Sequence, residues 1–71
     1  MVRLNGAEYD FRPGMSLKEL VDDYNADYCK LLDFNEFLVV INNTGLTAVQ
    51  AQEKILSDND KIFIVPMMDG G

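Results

Sequence analysis

The residue types that most often carry chemistry are scarce here: 71 residues hold one cysteine, Cys29, and no histidine. A serine or cysteine nucleophile would lack the imidazole that usually takes its proton, so Ser16 and Ser57 read as cap and turn residues. The same inventory excludes a disulfide within the chain and a cysteine–histidine metal centre. Cys29 is expected to be a small buried apolar side chain in a reducing compartment. The carboxylates do not converge. Asp22 and Asp23 are consecutive on a predicted helix and point about 100° apart, while Asp58 and Asp60 fall in a turn. A calcium loop would need further oxygen ligands and a glutamate downstream, where Lys61-Ile62-Phe63-Ile64-Val65 continues as a strand instead. These acids read as solvated turn residues.

What is left is the terminus, Gly70-Gly71. A terminal carboxylate, with a pKa of about 3.3–3.7, is ionised at neutral pH and inert toward weak nucleophiles until one oxygen becomes a leaving group. Two glycines remove every Cβ near the reacting carbon, so such an end threads a pocket that excludes bulkier residues. Extended at ~3.3–3.6 Å per residue, the segment 66–71 reaches roughly 20 Å, enough to enter another protein's active site while the folded body stays outside. Met67 and Met68 either fold back over the sheet or meet a partner, and methionine suits adaptable contacts of the second kind. A terminal Gly-Gly alone is a weak signal, because glycine is common at frayed chain ends.

The elements that must hold this tail start with a hairpin: Val2 and Leu4 alternate with Met1 and Arg3, Asn5-Gly6 turns the chain, and Ala7, Tyr9 and Phe11 alternate with Glu8 and Asp10. Arg12-Pro13-Gly14 is a loop. Ser16 and Glu19 are spaced as a capping box, and Leu17, Leu20, Val21 and Tyr24 form one apolar helix stripe that must cover a sheet. Beyond Asn25 the pattern admits either a further turn or a packed loop through Tyr28, Leu31 and Leu32. The run Phe37–Ile41 reads as a central strand covered on much of both faces. Asn42, Asn43, Thr44 and Gly45 break it, Ala48 to Leu56 has room for a short helix, Ser57–Asp60 is a turn, and Lys61–Val65 is the last strand. Residues 1–65 are thus expected to form one domain and 66–71 a flexible tail. A hairpin, a helix and later strands imply a two-layer α+β fold, a mixed sheet with one main helix on one face.

Bulk composition sets limits on partners. Twelve acidic against six basic residues give a formal net charge of -6. Nucleic acid and anionic membranes are therefore poor partners, and the docking face of a protein partner should be basic. No run approaches the ~18 apolar residues of a membrane span and the N-terminus lacks a signal-peptide layout, so a cytoplasmic location is expected.

With these features in view, the whole chain resembles the sulfur carriers of thiamin biosynthesis, the ThiS family, within the wider group that includes the small subunit of molybdopterin synthase. The matching features are Asn5-Gly6, Pro13-Gly14 leading to Ser16-Leu17-Lys18-Glu19-Leu20, Val39-Val40-Ile41-Asn42, and Ser57-Asp58-Asn59-Asp60 before Lys61–Val65. The run Pro66-Met67-Met68-Asp69-Gly70-Gly71 completes them. The resemblance implies a ubiquitin-like β-grasp fold with the first and last strands parallel at the sheet centre. It implies a carrier, not an enzyme, and a cycle in which an adenylating activating enzyme (ThiF-like) uses ATP on the Gly71 carboxylate. A sulfur-relay protein then yields a thiocarboxylate, and thiazole synthase (ThiG-like) takes the sulfur. No cofactor is implied on the carrier itself.

Some positions depart from the family pattern. Asn59 and Asn43 stand where glycine is frequent, and asparagine tolerates the left-handed backbone such turns need. Asp69 replaces a small neutral residue, and the frequent tryptophan is missing. If Ile62 and Ile64 face the helix, Phe63 and Val65 lie on the opposite sheet face, so Phe63, Val65, Pro66, Met67, Met68 and Asp69 are the expected partner-binding residues. The rival readings are the molybdopterin synthase small subunit, a ubiquitin-like modifier joined to lysines, a plain interaction domain, and an enzyme.

Overall fold

Asn5 and Gly6 take φ values of 49° and 88°, the two positive angles that a tight two-residue hairpin turn requires. In the computed structural model, which describes residues 1–66, this turn joins β1 (Val2–Leu4) to β2 (Ala7–Tyr9), with Val2 opposite Tyr9 and Leu4 opposite Ala7. The expected second strand stops at Tyr9; Phe11 is half-buried and packs on the core from the following loop.

Helix α1 (Leu17–Tyr28) starts where Ser16 Oγ accepts the Glu19 N–H at 3.1 Å. The return bond of the expected capping box is not formed. Ser16 is instead held in an antiparallel bridge with Ile55, flanked by Leu17 N–H to the Lys54 carbonyl at 2.9 Å and Leu56 N–H to the Met15 carbonyl at 2.8 Å. The stripe lies inward as the spacing predicts: Leu17, Leu20 and Val21 are buried, with Tyr24 packed against them. Each such side chain contributes about 1.5–3 kcal/mol on burial.

The helix takes one more turn and ends on Cys29, which adopts a left-handed conformation (φ 54°, ψ 44°) and donates its N–H to the Asn25 carbonyl. Cys29 is exposed, not buried as expected. As the left-handed cap it lies past the last helical residue, outside the stripe that faces the core. Asn25 then clasps the loop, its side chain donating to the Leu32 carbonyl and accepting the Leu32 N–H, both at 3.0 Å, and Phe34 enters the core beyond it.

Strand β3 (Phe37–Ile41) leads into Asn42-Asn43, again with two positive φ values, 50° and 69°. The segment expected only to break the strand is therefore a hairpin turn followed by an additional strand, β4 (Thr44–Leu46). Helix α2 (Ala48–Glu53) carries the reciprocal capping box, with Gln50 N–H to Thr47 Oγ1 at 3.2 Å and Thr47 N–H to Gln50 Oε1 at 3.0 Å. The last strand, β5 (Lys61–Pro66), follows a turn in which Asn59 sits at φ 69°, the left-handed role expected of it and of Asn43.

The sheet order is β2-β1-β5-β3-β4. β1 and β5 run parallel, with Arg3 beside Lys61 and Leu4 beside Ile62; β3 and β5 run antiparallel from Phe37–Pro66 to Ile41–Ile62. This is the mixed five-stranded sheet of a ubiquitin-like β-grasp, an α+β fold with one main helix. The middle strand is β5. β3, expected at the centre, lies one place from it, and only one of its faces is buried: Val39 and Ile41 point into the core while Leu38 is exposed. Its continuous apolar run misleads because the buried core gathers on the helix side alone.

Two side chains fasten the middle strand. Asn5 mimics a ladder residue, accepting the Ile64 N–H at 2.9 Å and donating to the Ile64 carbonyl at 3.1 Å. Asp60 is buried rather than solvated, and its carboxylate accepts the Ser57 N–H at 2.8 Å and Asn42 Nδ2 at 2.9 Å. Asn42 Oδ1 in turn accepts the Lys61 N–H at 3.1 Å, which joins the two turns at one end of the sheet.

Candidate functional site

Alternation along β5 sends Ile62 and Ile64 into the core and Lys61, Phe63 and Val65 to the other face. Cross-strand register places Leu38 beside Val65 and Val40 beside Phe63. Phe63, Val65 and Leu38 are 52%, 42% and 43% exposed, which makes an apolar patch on a sheet face that no helix covers. Toward the start of β5 the same face turns polar, with Arg3 beside both Lys61 and Glu8 and an Arg3–Glu8 ion pair at 3.2 Å.

Phe63 and Val65 therefore share the face predicted for them. Pro66, the last described residue, is paired opposite Phe37, so the strand reaches at least one position past the expected limit at Val65. Proline fits at a strand end, where its missing N–H leaves no ladder bond unmade further along. Met67, Met68, Asp69, Gly70 and Gly71 lie outside the described residues. Leu38 and Val40 complete the patch and were not foreseen. Their signal is the pairing register of two distant strands, which a single strand's composition does not reveal.

Elsewhere the polar groups serve the fold. The depression between α1 and the loop before β3, about 390 Å³, is open and lined by Lys18, Asp22, Leu32, Asp33 and Phe34 among others. Among the described residues no three histidine, cysteine, aspartate or glutamate side chains gather as a metal site, and no helix is long and apolar enough to cross a membrane. Tyr9 donates its hydroxyl proton to Asp27 Oδ2 at 3.2 Å, tying β2 to α1. Burial, aided by that bond and the Asp27 charge, pushes its pKa up to about 12. Asp58 receives a hydrogen bond from the N-terminal ammonium, which holds its carboxyl below the usual range. Both groups lie away from the end of β5.

The arrangement is a middle strand with an apolar face beside it, and in the sequence five residues follow its last described position as far as Gly71. Compared with known proteins, the chain matches the sequence model of the ThiS family over residues 2–71, a span that takes in all five residues beyond β5. No curated protein matched.

Proposed function

Because the chain belongs to the ThiS family of sulfur carriers, we propose that its Gly71 carboxylate is adenylated, converted to a thiocarboxylate, and used to donate sulfur for thiazole formation in thiamin biosynthesis. Members of that family are small carrier proteins rather than enzymes, and they interact with activating and sulfur-transfer enzymes. The observation that carries the reading is the family match over residues 2–71, a span that includes Gly70-Gly71, four and five positions beyond the last residue of the middle strand.

The chemistry follows from what the chain lacks. The carboxylate has no leaving group, so an activating enzyme supplies one by transferring the adenylyl group of ATP to a Gly71 oxygen and releasing pyrophosphate. The outer sulfur of a relay protein's persulfide then attacks the acyl carbon and displaces AMP, giving an acyl disulfide; a second thiol attacks the relay's sulfur, forms a disulfide with it and releases the outer sulfur as the thiocarboxylate of Gly71. Gly70 and Gly71 give the pocket no side chain to accommodate. Pro66, Met67, Met68 and Asp69 lead the chain from the sheet to that pocket, and Phe63 and Val65 meet the partner's surface beside it.

The test is intact-mass analysis after incubation with an activating enzyme, ATP and a sulfur source. One oxygen is exchanged for sulfur in the full chain, and deleting Gly71 abolishes the change. A deletion variant that is still modified places the chemistry elsewhere. Offering the thiocarboxylate form to thiazole synthase and, separately, to the large subunit of molybdopterin synthase identifies the acceptor; sulfur transfer to the second alone overturns the thiamin assignment.

A further inference from the structure

The chain's acids are unevenly placed. Its formal net charge is -6, yet the strand residues on the open sheet face comprise two cations, Arg3 and Lys61, and one anion, Glu8. Lys61 has no ion-pair partner among the described residues, and Arg3 has only the exposed contact with Glu8. An exposed pair of that kind is worth about 0–1 kcal/mol and is readily exchanged for another. Lys61 also stands between two shallow depressions, one lined with Asn42, Asn43, Asn59 and Phe63, the other with Met1, Arg3, Glu8, Asn59 and the buried Asp60. The end of the face that carries Arg3 and Lys61 is thus concave, and the carboxylate of Asp60 beneath it is already engaged by the Ser57 N–H and the Asn42 amide.

Taking the carrier reading as given, we propose that the activating partner meets this face with a two-part surface: apolar beside the pocket that takes the tail, and carboxylate-bearing at the far end, over Arg3 and Lys61. A partner matched to the whole-chain charge would be basic throughout, and a basic surface would be repelled at this end. Polarity along β5 fixes the layout. Val65 and Leu38 lie where the chain leaves the sheet, and Lys61 lies four residues upstream, ~13 Å away at ~3.3 Å per residue. That separation exceeds the screening length of about 8 Å at physiological ionic strength. The partner's carboxylates therefore bind the carrier without repelling the phosphates of ATP or the anionic tail end in the pocket. Charge on such a rim sets encounter and orientation more than final affinity.

Titrating the purified activating enzyme with the full chain by calorimetry, at low and high salt, tests this. The double variant R3E/K61E weakens binding on the order of tenfold at low salt and loses most of the salt dependence, and K61Q alone shows the same trend to a smaller degree. K18E, on the helix covering the other face, binds as the unaltered chain does. Thermal melts confirm that each variant is folded. Equal binding by R3E/K61E, or an equal loss in K18E, overturns the proposal. An unaltered chain that the enzyme neither binds nor modifies in the mass assay defeats the carrier reading itself, whereas normal sulfur loading with unchanged binding of R3E/K61E defeats only the two-part surface.

Discussion

Asp60 shows what a single buried carboxylate does in this chain. Removing it in D60A leaves the Ser57 N–H and the Asn42 amide without their acceptor, so stability falls by about 1–3 kcal/mol, measurable by urea unfolding. Tyr9 has the opposite character, visible only in alkali. Folded Tyr9 keeps its proton to about pH 12, whereas an unfolded tyrosine loses it near 10. Between those values the folded state binds more protons, so stability falls as pH rises through that window, and Y9F flattens the fall. A phenolate absorbance titration checks this directly, since Y9F removes the component near pH 12. On the open face, Phe63 contributes nothing to the core, so F63A leaves the melting temperature nearly unchanged and weakens binding of the activating enzyme; unaltered binding would remove Phe63 from the docking surface. Residue types alone foretold the inward and outward members of β5 and the positive φ of Asn5, while the left-handed Asn43 and Asn59 were expected from the family resemblance. They gave the wrong environment for Asp60 and Cys29, because burial there depends on a neighbouring turn in one case and on where a helix stops in the other.

Among the elements, those with strong local periodicity were legible and the short ones were not. Helix α1 has a four-residue apolar stripe and a serine cap, and both signals persist in the fold. Strand β4 is three residues, Thr44-Gly45-Leu46, too short and too glycine-rich to alternate; its real signal is Asn42-Asn43, a pair able to take two positive φ values. The reciprocal capping box was expected at Ser16 and Glu19 but occurs at Thr47 and Gln50. Beside Ser16, the Leu17 N–H and the Met15 carbonyl bond to Lys54 and Leu56, so the start of helix α1 is also anchored by a distant segment. T47A therefore removes the main local support of a six-residue helix and costs about 0.5–2 kcal/mol, readable in urea unfolding. Leu20, fully buried in the stripe of α1, is the heavier loss: L20A costs about 2–5 kcal/mol.

At the scale of the whole molecule, the fold class followed from element order, while strand order did not. Pairing β1 with β5 joins residues 3 and 61, and no local pattern encodes a contact of that span; only the family resemblance implied it. The same holds for the proposed docking face, whose residues come from β1, β3 and β5 and whose strand side chains, Glu8 of β2 included, carry one more positive than negative charge. The central position of β5 also bears on how the protein is made. A ribosome delivers this strand after every other element, so until Lys61–Pro66 emerges the nascent chain has two hairpins with nothing between them and two helices with no complete sheet to cover. Closure of the sheet must then wait for that strand, and a chain cut short upstream of it has a β1–β2 hairpin and a β3–β4 hairpin with no strand to join them.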